Sequence, residues 1–302
     1  MGPEILGALA ALGSSAAWAV GSILWRNIST EISSFSMNLG KGIIGCIYLS
    51  IVCLIVGLTP MDLRTFLLLG VSGIIGISIG DTFYFMSLKN LGPRLSSLIG
   101  ALTPVFIALS AVVFLTETSS FTKWAGILLT VSGVTWVMME NTPKNEIVQN
   151  KTLGIKYGLL GVLCTTIGVL ITKSVFDKDT SSTISPIQVT FIRAFSGTVG
   201  LAIWGGMTRQ LKDWVLPFRN PRLLKNLSIV VANSVFGGFF LSILALKFID
   251  ASIASTLGSI SPLFILPMVA LVYKEKIKSR AVIGAVVAII GISFIFGLAF
   301  IF

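Results

Sequence analysis

Histidine is absent from the 302 residues, cysteine occurs three times, and only 11% of residues carry charge. Each shortage excludes something. A zinc site without histidine would need four cysteines, and Cys46, Cys53 and Cys164 all lie in apolar runs with no C-x-x-C spacing. Metal centres and disulfide frameworks are therefore set aside. The shortage of charge says more. An ordinary soluble domain has about 25% charged residues, whereas here 54% are hydrophobic and mean hydropathy is +0.95. So few charges cannot cover the outside of a soluble fold of this size. The apolar residues also run in blocks without strand-like alternation, which argues against a β-barrel. An all-α, polytopic membrane protein is expected.

A helix needs about 20 apolar residues to cross the hydrocarbon core. Apolar runs separated by charged or turn clusters give ten spans: 4–25, 34–57, 65–88, 95–115, 122–140, 152–173, 185–206, 226–248, 252–273 and 279–300. The opening Met1-Gly2-Pro3-Glu4 lacks the cationic segment of a cleaved signal peptide, so the first run is expected to stay as a helix. It also fits a myristoylation motif poorly, with Leu6 in the Ser/Thr position. The polar stretch Asn141–Lys151 divides the chain into five spans and five spans, giving repeats over 1–140 and 152–302 joined by a linker at 141–151. A second polar loop runs from Thr208 to Lys225.

The halves repeat. A slide of 158 positions lays residues 80–133 on 238–291 without a gap, with 11 identities in 54 positions. Gly80 meets Gly238, Gly100 meets Gly258, Pro104 meets Pro262, Glu117 meets Glu275, and Gly126 and Gly133 meet Gly284 and Gly291. A proline, a glutamate and several glycines in one register are hard to reach by composition alone. A slide of 147 aligns Gly7 with Gly154 and Gly21 with Gly168, and one of 152 puts Lys41 on Arg193 and Gly45 on Gly197, both more weakly. An odd number of spans per repeat makes the second half enter the membrane from the opposite side. The expected architecture is thus two inverted five-helix repeats, an arrangement common in secondary transporters.

The repeated segment reads G-D-T-F-Y-F-M-S-L-K, then T-P-V-F, F-L-T-E-T and W-A-G-I-L-L-T-V-S-G-V; its partner reads A-L-K-F-I-D-A-S, S-P-L-F, Y-K-E-K and I-G-A-V-V-A-I-I-G-I. This resembles the EamA-type module of the drug/metabolite transporter superfamily, occurring twice across essentially the whole chain. Thr116 and Lys274 depart from it, standing where that family commonly has glycine before the glutamate. The resemblance implies a ten-helix secondary carrier of small metabolites, often amino acids or related compounds, and often outward.

Ionisable groups inside a bilayer cost about 2.5–3.5 kcal/mol each on insertion scales, so the deep ones need a cavity or a partner. By the span reading these are Lys41, Asp81 and Arg193, with Tyr84 following Asp81 by three residues. Asp81 either binds solute or carries a coupling proton in a cavity shared with the two cations, or it pairs with one of them to lock helices. The basic chains alternatively snorkel to an interface. Trp18 lies nearer mid-membrane, to stack on a solute ring or to pack; Trp25, beside Arg26, reads as an interfacial anchor. Pro104 and Pro262 each free a carbonyl four residues earlier and are expected to kink their helices around a central cavity. Asn233 is either helix glue or a solute contact. Gly73, Gly76 and Gly80 read as a helix-contact stripe and not a nucleotide loop, since no Lys-Ser/Thr follows. Glu117 and Glu275 read as helix caps or as partners of Lys123 and Lys276.

No cofactor is expected. The partners expected are a small-molecule solute and the lipid bilayer, with no nucleic acid: the net charge of +10 reads as loop bias. The protein would be a monomer or homodimer, integral to a membrane, which is the cell (inner) membrane if the source is prokaryotic. Loops on one side hold Arg64, Lys123, Lys173, Lys178 and Lys247, and those on the other hold fifteen basic residues. The charge rule puts the termini outside and the family resemblance puts them in the cytoplasm, leaving the side open. The expected function is a non-ATP secondary transporter exporting amino acids or related amphipathic solutes. The alternatives are a facilitative carrier or exchanger of other polar or anionic metabolites, a channel, and, more distantly, an intramembrane enzyme, for which no nucleophile–base pair is seen.

Overall fold

The computed structural model describes residues 2–115, 120–138, 150–178, 184–261, 263–264 and 279–295. Every regular element among them is helical. Helix α1 (Pro3–Ser29) opens on proline, whose missing N–H has no intrahelical partner at that position anyway. Helix α2 (Ser34–Val56) is capped by the Ser33 hydroxyl, which accepts from the Ser36 N–H at 3.1 Å. It stops at Gly57, whose φ of +87° favours glycine. Helix α3 (Leu63–Gly73) is capped by Asp62. That exposed carboxyl sits outside the span and is held below its usual range by accepting from Thr65.

After Gly73 the chain widens into a π-helical segment, Ile74–Gly80, and returns to α-helix in α4 (Asp81–Gly100). Helices α5 (Thr103–Phe114) and α6 (Phe121–Met138) follow. The later part comprises α7 (Lys151–Lys178), α8 (Pro186–Met207), short α9 (Leu211–Val215), a 3-10 turn (Leu216–Arg219) and α10 (Pro221–Ala232). A second π segment, Asn233–Phe240, leads into α11 (Leu241–Phe248), α12 (Ala251–Gly258) and α13 (Ser279–Ile295). Among the described residues, six stretches are long and apolar enough to cross a membrane: Pro3–Ser22, Ser34–Val56, Leu63–Leu91, Lys151–Lys178, Pro186–Met207 and Pro221–Phe248. The protein is an integral, multi-pass membrane protein.

Three boundaries differ from the span reading. Helix α4 carries on through the polar residues after 88 as far as Gly100; the Asn90 amide turns back to the Met86 carbonyl at 2.8 Å and so satisfies itself within the helix. The break falls later, at Ala101–Leu102, because Pro104 cannot donate to Gly100. The equivalent place 158 residues on, Ser259–Ile260, is also a turn. Last, the polar loop Thr208–Lys225 is partly helical: Asn220 accepts from the Arg222 and Leu223 N–H groups to start α10. Trp214 folds back to stack on Phe35, with ring centroids 4.5 Å apart.

Backbone-close glycine contacts join the parts. A Cβ on Gly133 would sit 2.5 Å from Ala288 N and 2.6 Å from Gly284 O, while one on Gly291 would sit 2.5 Å from Thr130 N and 2.7 Å from Gly126 O. As numbers rise on α6 they fall on α13, so this pair runs antiparallel. The stripe read from the sequence also packs closely. A Cβ on Gly73 would lie 2.2 Å from Arg193 O, and one on Gly80 would lie 3.2 Å from the Cys164 side chain. The contacts cross between the two parts of the chain, since Gly197 meets Ile77 as Gly45 meets Val235.

Gly133→Ala is therefore expected to cost about 1–3 kcal/mol by overpacking, seen as a lower Tm in detergent. Gly206→Ala, with nothing within 4 Å, should leave Tm unchanged.

Candidate functional site

A cavity of about 360 Å³ lies at the centre of the bundle. Its wall is built from helices on both parts of the chain, and many of its lining residues fall in pairs. Tyr84 and Ser242, Ser96 and Ala254, Gly100 and Gly258, Ala101 and Ser259, and Thr103 and Ser261 all line it, each pair 158 residues apart. On α1 and α7 the pairs are 147 apart: Ala11 with Gly158, Ser14 with Gly161, Trp18 with Thr165, and Ser22 with Val169. Both helix breaks border this space, and a Cβ at Gly100 or Gly258 would meet nothing within 4 Å. Pro104 lines the cavity as well. Pro262, Glu117, Glu275 and Lys276 lie outside the described residues.

The polar feature of the wall is an ion pair. Lys41, two turns into α2, meets Asp81, which starts α4 immediately after the π segment. The Lys41 side chain is 5% exposed and that of Asp81 is 19% exposed, so both line the cavity and the carboxylate is the more open of the two. Removing one ion from such a pair strands the other in a poorly solvated place. The ammonium is also braced over two rings, Phe239 at 5.1 Å and Phe85 at 5.5 Å. Asn38, one turn before Lys41, donates to the carbonyls of Ile77 and Ser78 at 2.9 and 3.2 Å and to the Thr82 hydroxyl at 2.9 Å. The widened π turn exposes carbonyls that an ordinary helix would use internally, and this amide fastens them to α2 just where the ion pair forms.

Aromatic groups complete the wall. Trp18 lines the cavity and packs edge-on to Phe239, centroids 5.1 Å apart. Tyr84 is 36% exposed, facing the same space. Trp25 is not the interfacial anchor its neighbour Arg26 implied. It is 3% exposed, lines the cavity, and donates its indole N–H to Ser234 at 3.0 Å. The interface offers that N–H water, but here a hydroxyl on the second π segment satisfies it, and that partner cannot be seen in local sequence.

Arg193 and Asn233 stand apart. Arg193 does not line the large cavity; it borders a separate void of about 20 Å³ behind Lys41. The expectation of Lys41, Asp81 and Arg193 in one cavity is corrected accordingly: a terminal nitrogen of Arg193 enters the slot left by Gly76 and Gly168, 3.3 Å from where a Cβ would stand on either. Asn233 does not line the cavity either, and its amide donates to the Ala17 carbonyl at 2.9 Å.

At the other end of the bundle the lysines are occupied. Lys123 pairs with Asp250, because the α11–α12 link comes up beside the start of α6. Lys173 pairs with Asp177 at 3.0 Å and donates to Leu246 O at 3.2 Å, and Lys247 donates to Ile184 O at 2.8 Å. Beneath them an apolar cluster from α1, α3, α5, α7, α8, α11 and α12 fills this end.

The sequence pattern of the EamA-like transporter family matches residues 5–139 and 152–297. The chain belongs to this family. EamA proteins form part of the drug/metabolite transporter superfamily, and this EamA chain is a membrane transporter. It is 26% identical over 288 residues to an uncharacterized transporter from Archaeoglobus fulgidus, covering 94% of this chain and 95% of that one. It is also 26% identical over 119 residues to the uncharacterized inner membrane transporter YhbE of Escherichia coli, covering 39% of this chain and 36% of YhbE. A solved crystal structure shares the fold with a TM-score of 0.72 at 15% identity, covering 95% of this EamA chain and 96% of the other.

Lys41→Met is expected to lower stability by a few kcal/mol: about 3–5 applies to a fully buried pair, and less here because Asp81 reaches the cavity. The double variant Lys41→Met/Asp81→Leu should recover most of that loss in a detergent melting assay. Equal Tm losses in the single and double variants would show that the pair is not the reason.

Proposed function

We propose that the protein is a secondary carrier, built from two inverted five-helix repeats at 1–140 and 152–302, that exports amino acids or related amphipathic solutes by alternating access. The observation that carries this reading is the central cavity, whose lining residues recur at fixed offsets on both parts of the chain. Two similar five-helix units around a shared space have two near-equivalent ways to pack, and each packing opens the space to one side. The antiparallel α6–α13 contact supports the inversion, because equivalent helices inserted with the same polarity would have matched equal with equal.

The chemistry of the wall supports the solute class. The Asp81 carboxylate can take a solute ammonium, Lys41 can take a carboxylate, and Trp18, Trp25, Tyr84 and Phe85 offer aromatic faces to an apolar side chain. A carboxylate beside the cavity is also the natural place for a coupling proton in a chain without histidine. The ring of hydroxyls (Ser14, Ser22, Ser87, Ser96, Thr103, Ser242) adapts to polar groups of different shape.

The test is flux of labelled amino acids in proteoliposomes, with and without an imposed proton gradient. Saturable flux is expected for the native protein, with a loss of roughly tenfold or more in Asp81→Asn, equivalent to about 1.4 kcal/mol. Unchanged coupled flux in Asp81→Asn removes the carboxylate from the mechanism, and flux that rises linearly with solute denies a carrier.

A further inference from the structure

The polar loop between α8 and α10 has no part in the central cavity. It carries Arg209, Lys212, Arg219, Arg222 and Lys225 against one acid, Asp213. All five basic residues are exposed, and none of the ion pairs among the described residues includes any of them. The opposite end of the bundle behaves differently, since its Lys123 and Lys173 are taken up by Asp250 and Asp177. The charge of the α8–α10 loop is left for something outside the chain.

This loop is a fixed surface and not a loose tether. Trp214 is buried on Phe35, and Leu223 is buried in a cluster with Met37 and Leu227. Phe218 packs so closely on Gly40 that a Cβ there would lie 2.8 Å from its ring. With these side chains turned inward, the basic ones face out. Arg209 even holds a left-handed backbone, φ +58°, at the turn that closes α8, a place that favours glycine. Apolar side chains, those of Met207, Val215, Leu216 and Leu224, are exposed among the charges. The depth is that of the headgroups. Helix α8 has 22 residues, a rise of about 33 Å against about 30 Å of hydrocarbon, so the loop starts where the acyl region ends.

Cations interleaved with apolar side chains at that depth complement phosphodiester anions on one side and acyl chains on the other. We propose that this face is a docking surface for anionic phospholipid, with lipid phosphates among the five basic side chains and Val215 and Leu216 against the acyl boundary. A zwitterionic lipid offers the same acyl chains without net charge, so the surface selects by headgroup. Its occupancy does not depend on what the protein carries.

The test uses the full chain in vesicles of phosphatidylcholine and phosphatidylglycerol in equal parts, with a trace of either lipid spin-labelled. The motionally restricted fraction of each label gives its relative affinity for the protein. The native protein is expected to favour phosphatidylglycerol by about fivefold, and high salt should weaken that preference. Lys212→Gln/Arg219→Gln/Arg222→Gln/Lys225→Gln should abolish it. Arg222→Gln/Lys225→Gln should lower it part-way and keeps the test open if the quadruple variant folds poorly. Lys151→Gln/Lys156→Gln, at exposed charges on the start of α7, should keep the native preference. Equal restriction of both labels by the native protein overturns the proposal. So does an undiminished preference in both loop variants, or its loss in the α7 variant, which would mean that charge in general selects the lipid. Abolition of the preference by millimolar inorganic phosphate at constant ionic strength also overturns it, because the surface would then be one for a free anion.

Discussion

A charge placed deep in an apolar bundle must find its counter-charge inside the protein, and the arrangement around Lys41 follows from that need. The ammonium takes the Asp81 carboxylate and two aromatic faces. To bring Asp81 within reach, the third span leaves α-helical geometry for seven residues, and Asn38 ties down the carbonyls that the π turn releases. The small residues of Ile74–Gly80 make that widening possible, since bulky side chains there would collide with α7 and α8. Ion pair, π segment and glycine stripe are thus one construction, in which each part removes a cost imposed by another.

The same economy governs the rest of the cavity. Prolines are tolerated near the middle of a membrane helix only where the released backbone has somewhere to go. Here the break beside Pro104 and its counterpart at Ser259–Ile260 both border the central space. Gly100 and Gly258 keep that border open, while hydroxyls from α1, α4, α11 and α12 give it polar character without fixed charge.

Much of this was legible in the sequence because it rests on periodicity and duplication. The all-helical membrane class follows from charge content, and the offsets of 158 and 147 found by sliding the chain on itself reappear as the pairing of cavity residues. Partners across the bundle were not legible. Trp25 read as an anchor because its neighbour in sequence is basic, yet its partner Ser234 is 209 residues away. Lys123 similarly has its partner, Asp250, 127 residues away. Helix type was hidden too: a run of glycine and isoleucine has the same pattern whether it winds as α or π. Arg193 shows the limit of counting depth: as deep as Lys41 by span position, it borders the small void behind Lys41 and not the large cavity.

One asymmetry has consequences for energetics. The position 158 residues after Asp81 holds Phe239, and the position 152 after Lys41 holds Arg193. A duplicated machine with identical halves would be degenerate, with its two packings equally populated and no preferred resting state. By giving the carboxylate to one half and a phenyl ring to the other, this chain makes its halves unequal at the centre of the bundle, one of the many differences that would separate two such packings in energy.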